Sequence, residues 1–197
     1  IDKAVKFSNL AAGVVVGKIG NATSTINEII EYESSFNKSS SDKHIKSFNE
    51  ISILCKELKL RDKTIVFTNG CFDIIHLGHI ELLAKASDLG DKLIIGINSD
   101  LSIKSLKGEE RPVLDVKSRS MIIAALNFVD AVVVFEELTP LEIIKKIQPE
   151  IIVKGGDYDE DDVVGKNFIS KYDGSVIILP LTKGFSTTSI LNKIENE

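Results

Sequence analysis

From Lys63 towards the end of the chain, apolar strand-like runs alternate with helix-like patterns, and this alternation constrains the fold more than any other feature. The apolar runs are rich in valine and isoleucine and nearly continuous, which is typical of strands buried on both faces. Such strands separated by helices predict an α/β fold, a doubly wound parallel sheet with helices on both faces. The five predicted strands are 64–68, 92–98, 131–135, 151–154 and 175–179.

The segment 64–79, TIVFTNGCFDIIHLGH, combines the first of these strands with a glycine-containing loop and two histidines. A helix is predicted to follow, from Gly78 to a stop at Gly90. A strand, a tight loop and a helix in this order direct backbone N–H groups and the positive end of the helix dipole at one point, which favours phosphate. His76 and His79 are three residues apart, so they are expected on one face of the first helical turn, beside that phosphate site.

A zinc site fits these histidines less well than a phosphate site. Zinc-binding helices usually space two histidines four apart with a glutamate between them, and no third ligand is evident near His76 and His79. The acidic run 157–162 also lacks a distinctive ligand spacing, so it is interpreted as the solvated start of a helix. We therefore predict no protein-held metal.

Composition excludes several other classes of protein. A chain of 197 residues that is 43% hydrophobic has room for one ordinary domain with an appendage, and its net charge of -5 disfavours a nucleic-acid-binding role. No apolar run reaches the roughly eighteen residues needed to span a membrane. Cys55 and Cys71 follow neither a disulfide nor a metal pattern, which predicts the reducing cytoplasm. Cys71 is interpreted as a small residue that fills space in its loop.

Several motifs occur together in one order: TNGCFD at 68–73, HLGH at 76–79 and FSTTSI at 185–190. This set resembles the HxGH nucleotidyltransferases of the cytidylyltransferase-like superfamily. Within that superfamily, LKGEERPV at 106–113 and VKGGDY at 153–158 are similar to the adenylyltransferase domain of the bifunctional heptose kinase/adenylyltransferase family. The resemblance covers about residues 61–195 and implies a Rossmann-like version of the doubly wound sheet.

The resemblance implies transfer of AMP from ATP to D-glycero-β-D-manno-heptose 1-phosphate, giving ADP-heptose and pyrophosphate for the lipopolysaccharide core. Mg²⁺ is expected to arrive with ATP, and a homodimer is expected because relatives commonly pair. No nucleic-acid or membrane partner is expected. Two alternatives stay open: a cytidylyltransferase acting on another small phosphate such as glycerol 3-phosphate, and a nucleotide sensor without turnover. The stretch TKGF at 182–185 lacks the arginine and glutamate of glycerol-phosphate cytidylyltransferases, which weakens the first alternative and leaves Lys183 as the cation there.

The same resemblance assigns site residues. The expected catalytic residues are His76, His79, Lys107, Ser186 and Thr187. The expected nucleotide-binding residues are Thr68, Asn69, Gly70, Cys71, Phe72, Asp73, Gly78, Lys154, Gly155, Asp157 and Thr188, and those expected on the substrate phosphate are Arg111 and Arg119. From the residues alone, the run 186–189 is also a good helix N-cap, 154–158 is also a plain strand-to-helix turn, and a choice between magnesium and a ribose for Asp73 stays open.

The first sixty residues do not belong to the alternating strand and helix pattern that begins at Lys63. LAAGVVVGKIG at 10–20 is similar to the C-terminal end of ribokinase-like sugar kinase domains, so residues 1–36 are interpreted as the remnant of a kinase domain. An unrelated helix is the alternative, and the start at Ile1 favours a fragment of a longer protein. Residues 37–60 are predicted to be a serine-rich linker and a helix, with the nucleotidyltransferase domain at 61–197. Capping boxes predict helix starts at Thr25 and Ser47, and Thr139 is predicted to cap another helix.

Overall fold

The computed structural model describes residues 2–18, 20, 22–36, 41–156, 158–180, 187, 190 and 191. The chain divides into two compact units, Ile1–Ser41 and Asp42–Glu197. The second unit contains the histidine segment and the predicted parallel sheet, so it is the one that carries the candidate site.

The first unit is built from two helices, α1 (Asp2–Val16) and α2 (Ile26–Phe36). They meet closely at Gly13, where a Cβ atom would lie 2.3 Å from a ring carbon of Tyr32, so only glycine fits without a shift. The predicted capping box at Thr25 is confirmed: the Glu28 carboxylate accepts the Thr25 N–H at 2.8 Å, and the Glu28 N–H donates to the Thr25 hydroxyl at 3.3 Å.

The second unit contains a six-stranded sheet in which every pair of neighbouring strands is parallel. The strands are β1 (Ile45–Lys46), β2 (Ile65–Gly70), β3 (Lys92–Asn98), β4 (Ala131–Phe135), β5 (Ile151–Gly155) and β6 (Ser175–Leu179), and their order is β1-β4-β3-β2-β5-β6. The predicted doubly wound α/β fold is confirmed, with six strands instead of five. The extra strand β1 has only two residues, too few for a periodic pattern to reveal.

Helices connect the strands and cover the sheet. They are α3 (Phe48–Lys59), α4 (Leu77–Ser87), α5 (Asp100–Lys107), α6 (Val116–Ala124), α7 (Leu141–Ile147) and α8 (Lys166–Ile169), with 3₁₀ turns at Ser41–His44, Glu160–Asp162 and Ser170–Tyr172. The predicted capping box that opens α3 is confirmed, since Ser47 and Glu50 exchange both hydrogen bonds. The prediction for α7 was wrong by one residue: Pro140 occupies the N-cap position, where its ring offers no side-chain acceptor.

Alternate residues of each strand point to opposite faces of the sheet, and each face has its own apolar core. Phe67 of β2 packs with residues of α3 and α7 on one face, whereas Val66 packs with residues of α4 and α6 on the other. Burial on both faces accounts for the nearly continuous apolar runs of the sequence.

The strand order reverses at β2, which has β3 on one side and β5 on the other. In open α/β sheets, ligands bind outside the carboxyl ends of the strands at such a switch point. The fold therefore places the candidate cleft at the ends of β2 and β5.

Candidate active site

The carboxyl ends of β2 and β5 are tied together by Lys154. Its side chain is largely buried, and its Nζ donates to the side-chain oxygen of Asn69 at 2.7 Å and to the Asn69 carbonyl at 3.2 Å. Nζ also lies 5.1 Å from the ring centroid of Tyr158. Lys154 thus fixes the switch point and orients the Asn69 amide. Thr68 and Gly155 are buried beside it, whereas Asp157 lies outside the described residues.

In the loop after β2, the side chain of Phe72 packs back against Gly70. Phe72 has a positive φ of 46°, and its ring lies so close to Gly70 that a Cβ there would be 3.2 Å from a ring carbon. The same ring meets His79 edge to face at 5.4 Å. The Thr187 hydroxyl is 3.5 Å from the Ile74 carbonyl, which places this one residue of the late hydroxyl motif beside the loop. The other two expected hydroxyl residues of that motif, Ser186 and Thr188, lie outside the described residues.

The two histidines lie together at the start of α4, on either side of the buried Gly78. His76 is the N-cap residue, and its Nδ1 accepts the backbone N–H of His79 at 3.4 Å. The imidazole rings stack with their centroids 3.8 Å apart and an interplanar angle of 21°. Because Nδ1 of His76 is an acceptor, the proton of the neutral ring is on Nε2, which leaves Nε2–H as a donor. Nδ1 of His79 is buried without a hydrogen-bond partner among the described residues.

Burial keeps both imidazoles neutral at pH 7. It lowers the pKa of His76, and it is the largest cause that lowers the pKa of His79 to about 4, with smaller contributions from His76 and from the positive charge of Lys107. Lys107 is exposed at the end of α5, so its ammonium is accessible, and its charge acts on His79. The site thus combines neutral N–H donors, a helix N-terminus and an exposed cation, all of which suit phosphate.

Asp73 anchors the loop that follows α5. The residue as a whole is 2% exposed. Oδ1 accepts the N–H groups of Val113 and Leu114 at 2.8 and 3.0 Å, and Oδ2 accepts Nε–H of Arg111 at 2.6 Å. Both carboxylate oxygens are therefore engaged by protein groups. Arg111 makes no hydrogen bond through its two terminal nitrogens to any described residue.

Arg119, which was expected on the substrate phosphate, also holds these loops. Its guanidinium is fully buried, donating from Nε to the Leu114 carbonyl at 3.0 Å and from Nη1 to the Cys71 carbonyl at 2.6 Å. Nη2 pairs with the Asp100 carboxylate at 2.6 Å. A phosphate could not reach this group without displacing protein partners.

Sequence reasoning missed Asp100 as the partner of Arg119. Its other oxygen accepts the Val116 N–H at 3.2 Å, so one carboxylate binds both the start of α6 and the buried arginine. The only signal in the sequence was the place of Asp100 just after a predicted strand. Nothing there indicated a partner 19 residues later.

The described residues were also compared with the requirements of a metal site and of a membrane-spanning helix. Within the described ranges, no group of three or more histidine, cysteine, aspartate or glutamate side chains is arranged to hold a metal ion. In the same part of the chain, no helix is both long enough and apolar enough to cross a membrane.

Comparison with known proteins agrees with this geometry. The cytidylyltransferase-like family matches residues 67–193, which begin within β2 and include both histidines. The chain belongs to this family of nucleotidyltransferases. The family resemblance inferred from the HxGH motif is confirmed.

Curated relatives within the family extend the similarity to the whole chain. The chain is 52% identical over 198 residues to the bifunctional protein HldE of Aliarcobacter butzleri, covering 100% of this chain and 41% of that protein. It is 50% identical to the bifunctional protein HldE of Nitratiruptor sp., covering 100% of this chain and 42% of that protein. The chain therefore spans about two fifths of the length of these relatives.

Among solved structures, the chain is similar to the lipopolysaccharide core biosynthesis protein of Thermoplasma volcanium GSS1, with a TM-score of 0.51 and 30% sequence identity. The match covers 62% of this chain and 99% of that one. The similarity supports both the fold and a relationship within the family.

Proposed function

We propose that this chain transfers AMP from ATP to D-glycero-β-D-manno-heptose 1-phosphate, giving ADP-heptose and pyrophosphate. The observation that carries the proposal is the stacked, neutral pair His76 and His79 at the N-terminus of α4, directly after the switch-point strand. The similarity over the full chain to bifunctional HldE proteins supports the choice of sugar phosphate. We also propose that the chain is the adenylyltransferase part of a bifunctional kinase/adenylyltransferase, acting in the cytoplasm where ATP is supplied.

The reaction needs no general base. The phosphate of the sugar is already ionised at pH 7, so one of its oxygens attacks the α-phosphorus of ATP as the bond from that phosphorus to the bridging oxygen breaks. Pyrophosphate leaves with the electron pair of the broken bond. The protein has to align the two reactants and balance negative charge on the phosphoryl oxygens.

The described residues suit those two tasks. Nε2–H of His76 and the N–H groups at the start of α4 can donate to triphosphate oxygens, and the accessible ammonium of Lys107 can approach the departing pyrophosphate. Neutral imidazoles donate without carrying a charge that would hold the product tightly. The backbone around Asn69 and Gly70, fixed by Lys154, is proposed to border the nucleotide.

A magnesium ion fits this site when it is bound to the triphosphate, and not as an ion coordinated by a set of protein ligands. Asp73 and Asp100, two carboxylates that follow strand ends, are each bonded to an arginine and to at least one backbone N–H group. Mg²⁺ would thus be held mainly by phosphate oxygens and water, where it would supply charge neutralisation. A homodimer remains part of the proposal, and the mass of the protein in solution would test it.

The decisive experiment measures pyrophosphate release from the purified protein with Mg²⁺, heptose 1-phosphate and either ATP or CTP. Release with ATP alone is expected. Release with CTP alone would replace the adenylyltransferase proposal with a cytidylyltransferase, and binding of ATP without release would favour a sensor. His76→Ala should reduce release strongly, whereas Lys92→Ala, at the far end of the sheet, is the matched control.

A further inference from the structure

Asp73 divides its two carboxylate oxygens between two different tasks. Oδ1 accepts two backbone N–H groups, from Val113 and Leu114, and so fixes the course of the loop. Among the residues that the structure describes, Oδ2 accepts only Nε–H of Arg111, at 2.6 Å. One oxygen therefore holds the loop and the other holds a single side chain.

The contact with Arg111 sets the orientation of a cation. A guanidinium is planar, and a hydrogen bond at Nε restrains its plane while leaving the two Nη groups as a parallel pair of donors. The Arg111 side chain is 16% exposed, whereas that of Asp73 is 1% exposed, so the pair runs from a buried anchor to a partly open donor edge. Such an edge matches two oxygens of a phosphate.

The loop that bears Arg111 borders the histidines on one side. Asp73, which accepts hydrogen bonds from this loop, lies three residues before His76. The charge of Lys107, at the end of the preceding helix, also lowers the pKa of His79. The helix N-terminus and the histidines provide for the triphosphate of ATP. A second phosphate, that of the acceptor, needs its own cation nearby, and Arg111 supplies one.

We propose that Asp73 is a positioning residue that orients Arg111 to bind the phosphate of the acceptor sugar, and that it contacts neither nucleotide nor metal. This inference rests on the proposed transferase function. A pre-oriented arginine loses less side-chain freedom when it binds, so its benefit should appear in the affinity for the acceptor and not in that for ATP.

The substitution Asp73→Asn separates the two tasks. Its side-chain oxygen can still accept the Val113 and Leu114 N–H groups, but its NH₂ group then faces Nε–H of Arg111, donor against donor. We expect KM for heptose 1-phosphate to rise about tenfold or more with KM for ATP nearly unchanged. Arg111→Ala should raise the same KM at least as much. The double substitution should resemble Arg111→Ala alone, because Asp73 would have no side chain left to orient.

Hydrogen exchange at the Val113 and Leu114 amides reports on the loop independently of catalysis. Both amides should stay protected in Asp73→Asn and lose protection in Asp73→Ala. Multiplying effects in the double variant, equal changes in the KM values for ATP and acceptor, or lost protection in Asp73→Asn would each overturn the proposal, since Asp73 would then act by another route.

The failure of the transferase proposal would look different. In that case the wild-type protein would release no pyrophosphate with either nucleotide. The same four proteins would then be compared by calorimetric binding of heptose 1-phosphate, where weaker binding by Asp73→Asn, absent in the Arg111→Ala background, is the expected result. Equal binding by the wild type and Asp73→Asn would refute the positioning role.

Discussion

The two ends of the parallel sheet use acidic side chains in opposite ways. At the amino end, an acidic residue just before each of β3, β4 and β5 accepts a backbone N–H from the start of a neighbouring strand and pairs with a lysine. The acid–amide pairs are Asp91 with Thr64, Asp130 with Leu93 and Glu150 with Ile65. Their lysine partners are Lys63, Lys92 and Lys59, all partly exposed.

At the carboxyl end the partners are arginines, and the pairs hold loops instead of strand starts. Arg119 is fully buried in its pair with Asp100, and Asp73 is almost fully buried in its pair with Arg111. Exposed pairs contribute about 0–1 kcal/mol, whereas breaking a buried pair costs about 3–5 kcal/mol. At the amino end, stability therefore comes from several weak ion pairs, each of which can be removed at small cost. At the carboxyl end it comes from two buried pairs, and the loss of either is expected to lower the free energy of unfolding by several kcal/mol.

The largest expected effect is at Arg119. Arg119→Ala should lower the free energy of unfolding by about 3 kcal/mol, because it leaves a cavity and two carbonyls, those of Cys71 and Leu114, without their donor. Urea denaturation would measure the change. The variant should also lose transferase activity, since both loops that border the cleft depend on this side chain. A loss below 1 kcal/mol would remove the distinction between the two ends of the sheet.

His79 should affect turnover more than stability. His79→Ala is expected to raise the activation free energy by about 3 kcal/mol, roughly a hundredfold loss of kcat, if the ring donates to the transition state. Pyrophosphate release would give kcat, and urea denaturation of the same protein would give its stability. Full activity in this variant would remove His79 from the catalytic group.

The burial of His79 also predicts a pH dependence of stability. Its pKa is lowered to about 4 in the folded protein, compared with 6.5 for the free side chain, so between these values the unfolded chain binds more protons. Stability from this group is therefore present above pH 6.5 and is lost as the pH falls towards 4. Partial solvent contact reduces the effect to about 1 kcal/mol between pH 7 and pH 5.

Denaturation of the wild type and His79→Ala at both pH values isolates that contribution. The wild type should lose about 1 kcal/mol more than the variant on acidification, because alanine at this position cannot take up a proton. Parallel losses in the two proteins would show that the imidazole titrates normally in the folded state.

The smallest effect is expected at the amino end. Lys92→Ala removes an exposed ammonium from Asp130 but leaves the bond from that carboxylate to the Leu93 N–H, so stability should change by less than about 1 kcal/mol. Thermal and urea denaturation, with pyrophosphate release as a check on the distant site, would measure it. A large loss of stability would show that the lysine pairs contribute as much to the free energy of unfolding as Arg119 does.

The strands could be predicted from the sequence because burial on both faces leaves a local signature in each one. Strands β3, β4 and β6 have the predicted bounds, and β2 and β5 differ only at their ends. The two-residue strand β1 and the N-cap of α7 at Pro140 were beyond this signature. Their positions depend on pairing with β4 and on backbone geometry, which no short sequence window contains.

The candidate site could be predicted only in part. The spacing of His76 and His79 is local, so their shared face followed from helix periodicity. The roles of Asp73 and Arg119 depend on partners that are distant in the sequence. The sequence alone does not show whether a carboxylate or a guanidinium is exposed to solvent or buried. Only the fold shows which cations remain open, and it distinguishes Lys107 and Arg111 from Arg119.

The bond from Lys154 to Asn69 has a consequence for how the protein is made. It joins positions 85 residues apart, and β5 inserts beside β2 only after β3 and β4 have been synthesised. Before residue 151 has been synthesised, β2 lacks the strand that lies on one of its edges in the folded domain, and an unpaired strand edge can pair with other chains. The candidate cleft therefore cannot be complete until β5 has been made, and a chain interrupted before residue 151 would lack one side of it.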